Sequence, residues 1–342
     1  MKINLLSPIN GATVSLTPKA QAEILSSLPA DGTILENDFD WRSPVAGDDD
    51  HSAPEHIIFT WGFEGSLAEV TDVVLHLSTT EDFAEADSFD IYAGQMFLSL
   101  TNFKEDKYFW KMAAYSGDRV ICESATYYFN IDNTSTRWYL IDGATNVRDI
   151  GGWKAGGKRI KRNVFFRGSA LDKDLTASAD ALGFLAYDLH IKTDLDLRLH
   201  RDEYSVSPIP DANLINVPVF AYADIFDEAE KDKIRDIFSL LADSSSYPVY
   251  CHCFAGADRT GTVVALLMAL LGASREDICR EFELTTLSVF GMRSRCQQHF
   301  YDYEKCLEEY GNSPADAARN FLVSCGVTDA QIDGIKQILL EG

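Results

Sequence analysis

The chain of 342 residues predicts two domains of different class: an all-β sandwich over 1–135, then an α/β domain over 136–342 with a mainly parallel sheet flanked by helices. Before residue 135, short apolar segments alternate with period two between turn-forming residues; after 137, strand-like runs alternate with helical periodicity. The excess of acids is concentrated in the first part. The length also exceeds one ordinary domain of roughly 100 to 200 residues. A composition of 46% hydrophobic and 24% charged residues matches globular proteins, which excludes disorder and fibrous classes.

In the first part, strands are expected at 57–61, 73–77, 90–92, 97–100, 108–112 and 127–131, with no long amphipathic helix among them. The opening Leu6-Ser7-Pro8-Ile9-Asn10-Gly11, an early strand with Trp61 and a late strand with Tyr108-Phe109-Trp110 resemble a fibronectin type III or immunoglobulin-like sandwich. Between strands, 31–54 carries Asp48-Asp49-Asp50 but not the alternating oxygen ligands around a glycine turn that calcium needs. It reads as a solvated acidic loop.

In the second part, helices are expected over 177–189, 228–242, 261–271 and 275–283, and strands over 193–199, 214–219 and 248–251. Gly272 ends one helix, and Ser274 with Asp277 caps the start of the next. Two or three further helices fill the last stretch, around Ser313-Pro314 and Gly326.

Charge and cysteine usage narrow the function classes. A net charge of −23 disfavours nonspecific binding to nucleic acid or to anionic membranes. The longest apolar runs, such as 263–271, fall short of the ~20 residues a bilayer span requires. The N-terminus shows no apolar core of ~7 to 15 residues, hence no visible signal peptide. Seven scattered cysteines point to free thiols in a reducing compartment, read as the cytoplasm.

The chemistry is carried by Val249-Tyr250-Cys251-His252-Cys253-Phe254-Ala255-Gly256-Ala257-Asp258-Arg259-Thr260-Gly261, placed between a buried-strand pattern and an apolar helix. A strand, a tight loop and a helix N-terminus together make an anion site, because backbone N–H groups and the positive helix end converge there. Cys253 opens the loop and Arg259 closes it; none of the other six cysteines has an arginine six places on. A helix N-terminus and a cation lower a thiol from ~8.5 into the range of roughly 3.5 to 7.5, giving a thiolate that can attack phosphorus in line. The amides of Phe254, Ala255, Gly256 and Ala257, with the Arg259 guanidinium, would hold the phosphoryl oxygens. Thr260 would hydrogen-bond the sulfur and ease its departure. Cys251-His252-Cys253 is not read as a metal site, since adjacent strand residues point to opposite faces; no metal and no cofactor are expected.

His252-Cys253-x-x-Gly256-x-x-Arg259-Thr260-Gly261 resembles the signature of the cysteine-dependent protein tyrosine and dual-specificity phosphatases. With Asn146-Val147-Arg148-Asp149-Ile150-Gly151-Gly152, Phe166-Arg167-Gly168-Ser169-Ala170-Leu171 and Asp196-Leu197-Arg198, the resemblance narrows to a bacterial tyrosine phosphatase group that acts on phosphotyrosine and phosphoinositides. It covers about residues 137 to 290. It implies a phosphocysteine intermediate, His252 tuning the thiolate, and Arg148 and Asp149 lining or bracing the pocket. One departure is Ala257, where the group commonly has lysine, which weakens a phosphoinositide reading.

Two aspartates compete as general acid. Asp258 lies in the loop, where the resemblance assigns an acid role; Asp224 stands 29 residues before Cys253, a spacing similar to that of the mobile-loop acid in dual-specificity phosphatases. Arg148, Lys154, Lys158, Arg159, Lys161, Arg162 and Arg167 form a basic island, either focusing anions toward the pocket or forming a solvated hairpin turned at Gly156-Gly157. Arg293 and Arg295, before an aromatic stretch at 300–303, read as packing or as a second substrate contact. The expected substrate is a phosphorylated protein or peptide, or a small phosphate ester. An inositol phosphate hydrolase and a catalytically silent phosphate reader are the rival readings, and the partner of the sandwich is left open.

Overall fold

Alternation along Ile57–Glu64 buries Ile57, Phe59 and Trp61 while Ile58 stays exposed, which is what a strand with one packed face requires. The computed structural model describes residues 1–27, 49–134, 136–172, 175–199 and 206–342. They divide into two compact units, Met1–Leu16 with Pro54–Thr134, and Thr17–Ala53 with Ser135–Gly342.

Among the described residues the first unit contains strands only. One sheet has the order Lys2–Ser7, Ile57–Glu64, Phe97–Leu100. The other has the order Ala12–Val14, Tyr127–Ile131, Lys107–Ser116, Asp72–Ser78, Ala86–Ile91, with Arg119–Glu123 also paired to Lys107–Ser116. Side chains from both sheets share one core, in which the Phe59 and Trp110 rings meet edge-on at 5.0 Å. The strands at 2–7, 12–14 and 119–123 escape a periodicity reading because they are short or lie at sheet edges.

The second unit is a layered α/β body. Its sheet has the order Arg137–Trp138, Arg148–Asp149, Phe165–Gly168, Val249–His252, Thr193–Asp196, Asn213–Asn216. The last four are mutually parallel, and the first two pair antiparallel. Phe165 and Val249 face one apolar cluster while their neighbours Phe166 and Tyr250 face another, so helices cover both sides and the strands are fully buried. The expected helix over 177–189 is an α-helical turn, Ala179–Gly183, followed by a π-helical turn, Phe184–Asp188. Helices at Lys231–Leu241, Asp258–Leu271, Arg275–Glu283, Gln298–Glu308, Pro314–Ser324 and Asp329–Leu339 complete the unit. None of the described helices is long and apolar enough to cross a membrane.

Helix Lys19–Ser27 was not foreseen, and it belongs to this second unit rather than to the N-terminal strands. Its Ile24 is fully buried in one cluster with Trp138, and Gln21 Oε1 accepts a 2.6 Å bond from Trp138 Nε1. Most of the acidic loop, including Asp48, lies outside the described residues. Asp50 is engaged rather than merely solvated: its carboxylate accepts bonds from Ser52 N at 2.8 Å, Ser52 Oγ and the Thr145 hydroxyl.

Candidate functional site: the loop at 253–259

The strand Val249–His252 occupies the middle of the sheet and runs into a loop whose far end is the N-terminus of helix Asp258–Leu271. Ligand sites of parallel sheets form at the carboxyl ends of such strands. Cys253 is 3% exposed there. Every loop carbonyl from 253 to 257 is drawn outward by a donor. Cys253 O accepts from His252 Nδ1 at 3.1 Å and Phe254 O from Ala170 N at 2.9 Å. Asn146 Nδ2 donates to Ala255 O at 3.3 Å and to Gly256 O at 3.0 Å; Arg167 Nη2 also reaches Gly256 O, and Ala257 O accepts from Gly261 N at 2.8 Å. With the carbonyls turned out, the amides turn in, and no described acceptor takes those of Phe254, Ala255, Gly256 or Ala257. Gly256 is essential to this path: its φ is +63°, and a Cβ there would lie 2.1 Å from Gly168 O.

The Arg259 guanidinium is half-buried and meets no carboxylate or carbonyl among the described residues. Phe254 is 43% exposed, and its ring meets Phe290 edge-on at 5.6 Å, giving the site an aromatic edge. The Thr260 hydroxyl is buried without a hydrogen-bond partner, so the expected bond to the Cys253 sulfur is not made.

Behind the loop the charges are paired. His252 Nε2 lies 2.9 Å from Asp194 Oδ1, and Nδ1 faces the Cys253 carbonyl, so both ring nitrogens point at acceptors. Burial pulls its pKa down, but Asp194, and then Asp196, more than reverse this and raise it to about 9, making it an imidazolium beside Cys253 at neutral pH. Arg148 and Arg167 are fully buried and share Glu281, at 2.8 and 2.7 Å. Burial, then the like charge of Arg167, lowers Arg148 to about 9, with Glu281 opposing. Arg148 therefore braces rather than lines the site: it also reaches Asn146 Oδ1 and Thr285, and lies over the Trp138 ring. Asp149 is likewise internal, accepting from Gly151 N at 2.7 Å and Asn163 N at 2.8 Å, with its pKa raised by burial. Arg198 is clamped by Asp172 at 2.6 Å and by Asp196.

The two candidate acids differ in environment. Asp258 accepts from Arg293 Nε at 2.9 Å, Arg293 Nη2 at 3.1 Å and the Tyr222 hydroxyl. Burial pushes its pKa up, yet the bonds from Arg293 and Tyr222 prevail and hold it below the usual carboxylate range. Asp224 is exposed on the turn Tyr222–Phe226, which is tied to the loop helix by Tyr222 N donating to Thr262 Oγ1 at 2.9 Å.

Residues 139–341, more than half of the chain, match the tyrosine phosphatase family. The chain belongs to that family. A 65-residue stretch is 40% identical to the triple specificity protein phosphatase PtpB of Mycobacterium tuberculosis; it is 19% of this chain and spans 23% of that relative's length. A solved structure, the core catalytic domain of the PP-IP phosphatase SIW14 from S. cerevisiae in complex with citrate, is 17% identical with a TM-score of 0.31. The match covers 43% of this chain and 82% of that one.

In this tyrosine phosphatase family member the basic island does not act as one surface. Arg148 and Arg167 lie beneath the loop, whereas Lys154, Lys158 and Arg159 belong to a hairpin, Lys154–Ala155 with Lys158–Arg159, at the other end of the loop helix. Gly156 N donates to the carbonyl of Gly272, the C-cap of that helix, at 2.9 Å. Fourteen residues of helix, about 21 Å, separate this hairpin from the start of the helix at the loop. Lysines there complement the negative helix end instead of focusing anions at Cys253. Arg295 is fully buried between Glu283 and Glu276 and is a packing residue. Asn146, Asp194, Tyr222 and Glu281 were not singled out from sequence, because each acts on a partner 36 to 133 residues away. Asn146 alone carried a signal, as the first residue of the motif at 146–152.

Proposed function

We propose that this chain is a phosphate monoester hydrolase that works through a phosphocysteine at Cys253, with phosphotyrosine in proteins or peptides as the leading substrate class. The observation that carries this reading is the row of outward-held carbonyls at 253–257 with an unpartnered Arg259 at its end. Cys253 as thiolate attacks phosphorus; the S–P bond forms as the P–O bond to the leaving group breaks. The free loop amides and Arg259 hold the phosphoryl oxygens, each such donor being worth roughly 10² to 10³ in rate. The His252 imidazolium supplies positive charge beside the sulfur. Asp224, exposed on the turn Tyr222–Phe226, is the candidate proton donor to the leaving group, because both oxygens of Asp258 are taken by Arg293 and Tyr222. Water then cleaves the S–P bond.

Phosphotyrosine is favoured by the exposed Phe254 edge, against which a phenyl ring can stack. Ala257 and the distant lysine hairpin remove the cations that an inositol phosphate would use. The strand unit at 1–16 and 54–134 has the two sheets and shared core of a fibronectin III or immunoglobulin-like sandwich, and we read it as such a module. Seven free thiols suit a reducing compartment, the cytoplasm.

The test is phosphate release from a phosphotyrosine peptide, a phosphoserine peptide and inositol phosphates, with vanadate binding measured alongside. Turnover is expected to be highest on the phosphotyrosine peptide and to vanish in Cys253→Ser while vanadate still binds. Equal turnover in Cys253→Ser would overturn the cysteine mechanism. Vanadate binding without turnover on any substrate would leave a phosphate reader.

A further inference from the structure

Asp258 is held by two residues that the proposed reaction leaves without a task, Arg293 and Tyr222. Arg293 is fixed beyond what packing needs. Its Nε and Nη2 meet the two oxygens of Asp258, and its Nη1 donates to Phe290 O at 3.3 Å and Met292 O at 3.0 Å. Its backbone is clamped at both polar groups by the Thr286 hydroxyl, which donates to Arg293 O at 2.9 Å and accepts from Arg293 N at 3.0 Å. Tyr222 sits at a φ of +58°, a region that a tyrosine rarely adopts, and is kept there by Thr262 and by Asp258 itself. Thr262 Oγ1 in turn donates to Asp258 O at 2.8 Å. A strained tyrosine and a fully committed arginine converge on one carboxylate that belongs to the loop.

We propose that Arg293, with Tyr222, is a positioning residue of the reaction: it holds Asp258 as an aimed carboxylate that accepts the proton of the water hydrolysing the phosphocysteine. This rests on the phosphocysteine reading above. In that step the water oxygen bonds to phosphorus, the S–P pair returns to Cys253 as thiolate, and the water proton passes to Asp258 and then to solvent. A carboxylate paired with a guanidinium is in the right state to take a proton and in the wrong one to give it. The labour is therefore divided between Asp224, which protonates the leaving group, and Asp258, which serves the second step.

The charged and titratable groups around Asp258 are Arg293, Tyr222 and His299, with Arg259 next to it in the chain. Removing Arg293 lets burial raise the Asp258 pKa toward and above the ordinary carboxylate range. A base then loses activity at acidic pH, whereas an acid would gain activity as pH rises. The two roles predict opposite signs.

The experiment is rapid-quench kinetics of the full chain on a phosphotyrosine peptide, separating formation of the phosphocysteine from its breakdown. In Arg293→Ala, formation is expected within about twofold of wild type, while breakdown falls about tenfold at acidic pH and less near neutrality, so that phosphoenzyme accumulates. Arg293→Lys should recover part of the loss. Asp258→Asn should keep formation and slow breakdown at every pH, and adding Arg293→Ala to it should cost nothing more. Slowed formation in Asp258→Asn, or an unchanged pH profile of breakdown in Arg293→Ala, would overturn the proposal. If Arg293→Ala fails to fold, the Asp258→Asn partition of the two steps decides. A wild type that turns over without any trappable phosphocysteine would instead defeat the underlying mechanism.

Discussion

Beneath the loop, Arg148 and Arg167 are fully buried and share the Glu281 carboxylate; at its mouth, Arg259 carries the same charge and touches no described acid. The three guanidiniums are chemically equal and differently partnered. A buried cation already paired with a carboxylate braces, because any ligand must first displace that partner. A half-buried cation beside unpaired amides is held ready for an anion. For these three guanidiniums, pairing with a buried carboxylate, rather than residue type, separates the braces from the candidate anion ligand.

The sharpest way to break this comparison is to remove one charge from each side. Arg259→Ala is expected to lower kcat/KM for a phosphotyrosine peptide by about 10³ or more, while the unfolding free energy stays within about 0.5 kcal/mol. Glu281→Gln leaves two buried guanidiniums uncompensated and should cost about 3–5 kcal/mol in denaturant unfolding, although the residue touches no substrate. A stability loss in Arg259→Ala, or none in Glu281→Gln, would erase the distinction.

A gentler probe is the pH dependence of His252. Its pKa is raised from 6.5 to about 9 in the folded protein, so its contribution to stability is fully present below about pH 6.5 and is lost as pH rises through about 9. The gap corresponds to at most about 3 kcal/mol. Asp194→Asn should flatten that slope in unfolding curves taken across the window, with the variant and wild type converging above it. The smallest effect is expected at the other end of the loop helix, where replacing both Lys154 and Lys158 by alanine should change kcat/KM less than about twofold at low salt. A large drop there would restore the idea of a steering surface.

Much of the candidate site was legible in one stretch of sequence, because a strand, a loop and a helix N-terminus are contiguous in the chain. Cys253, Gly256 and Arg259 are set by local spacing, and helix Arg275–Glu283 runs as its caps predict. Arg148 was visible as a motif residue, but its partner Glu281 stands 133 positions away and gives no local signal. The same holds for Arg293 on Asp258. Helix Lys19–Ser27 was missed for a related reason, since its apolar side is fixed by Trp138 in the other half of the chain. Of the two readings of the basic island, the hairpin turned at Gly156-Gly157 is the one formed, by Lys154, Lys158 and Arg159, whereas Arg148 and Arg167 lie beneath the loop, a split that closeness in sequence does not reveal.

The sequence by itself determined the change from alternating strands to mixed helices and strands, the strand, loop and helix that follow one another over 249–271 and the residue types within them, since alternation, helical periodicity and glycine placement act over a few neighbours. Only the tertiary structure decided which cations are neutralised, which aspartate is held ionised and which amides stay unpaired. Those outcomes depend on burial and on which distant side chains meet, and electrostatics in a poorly hydrated interior is set by distances across the fold rather than along the chain.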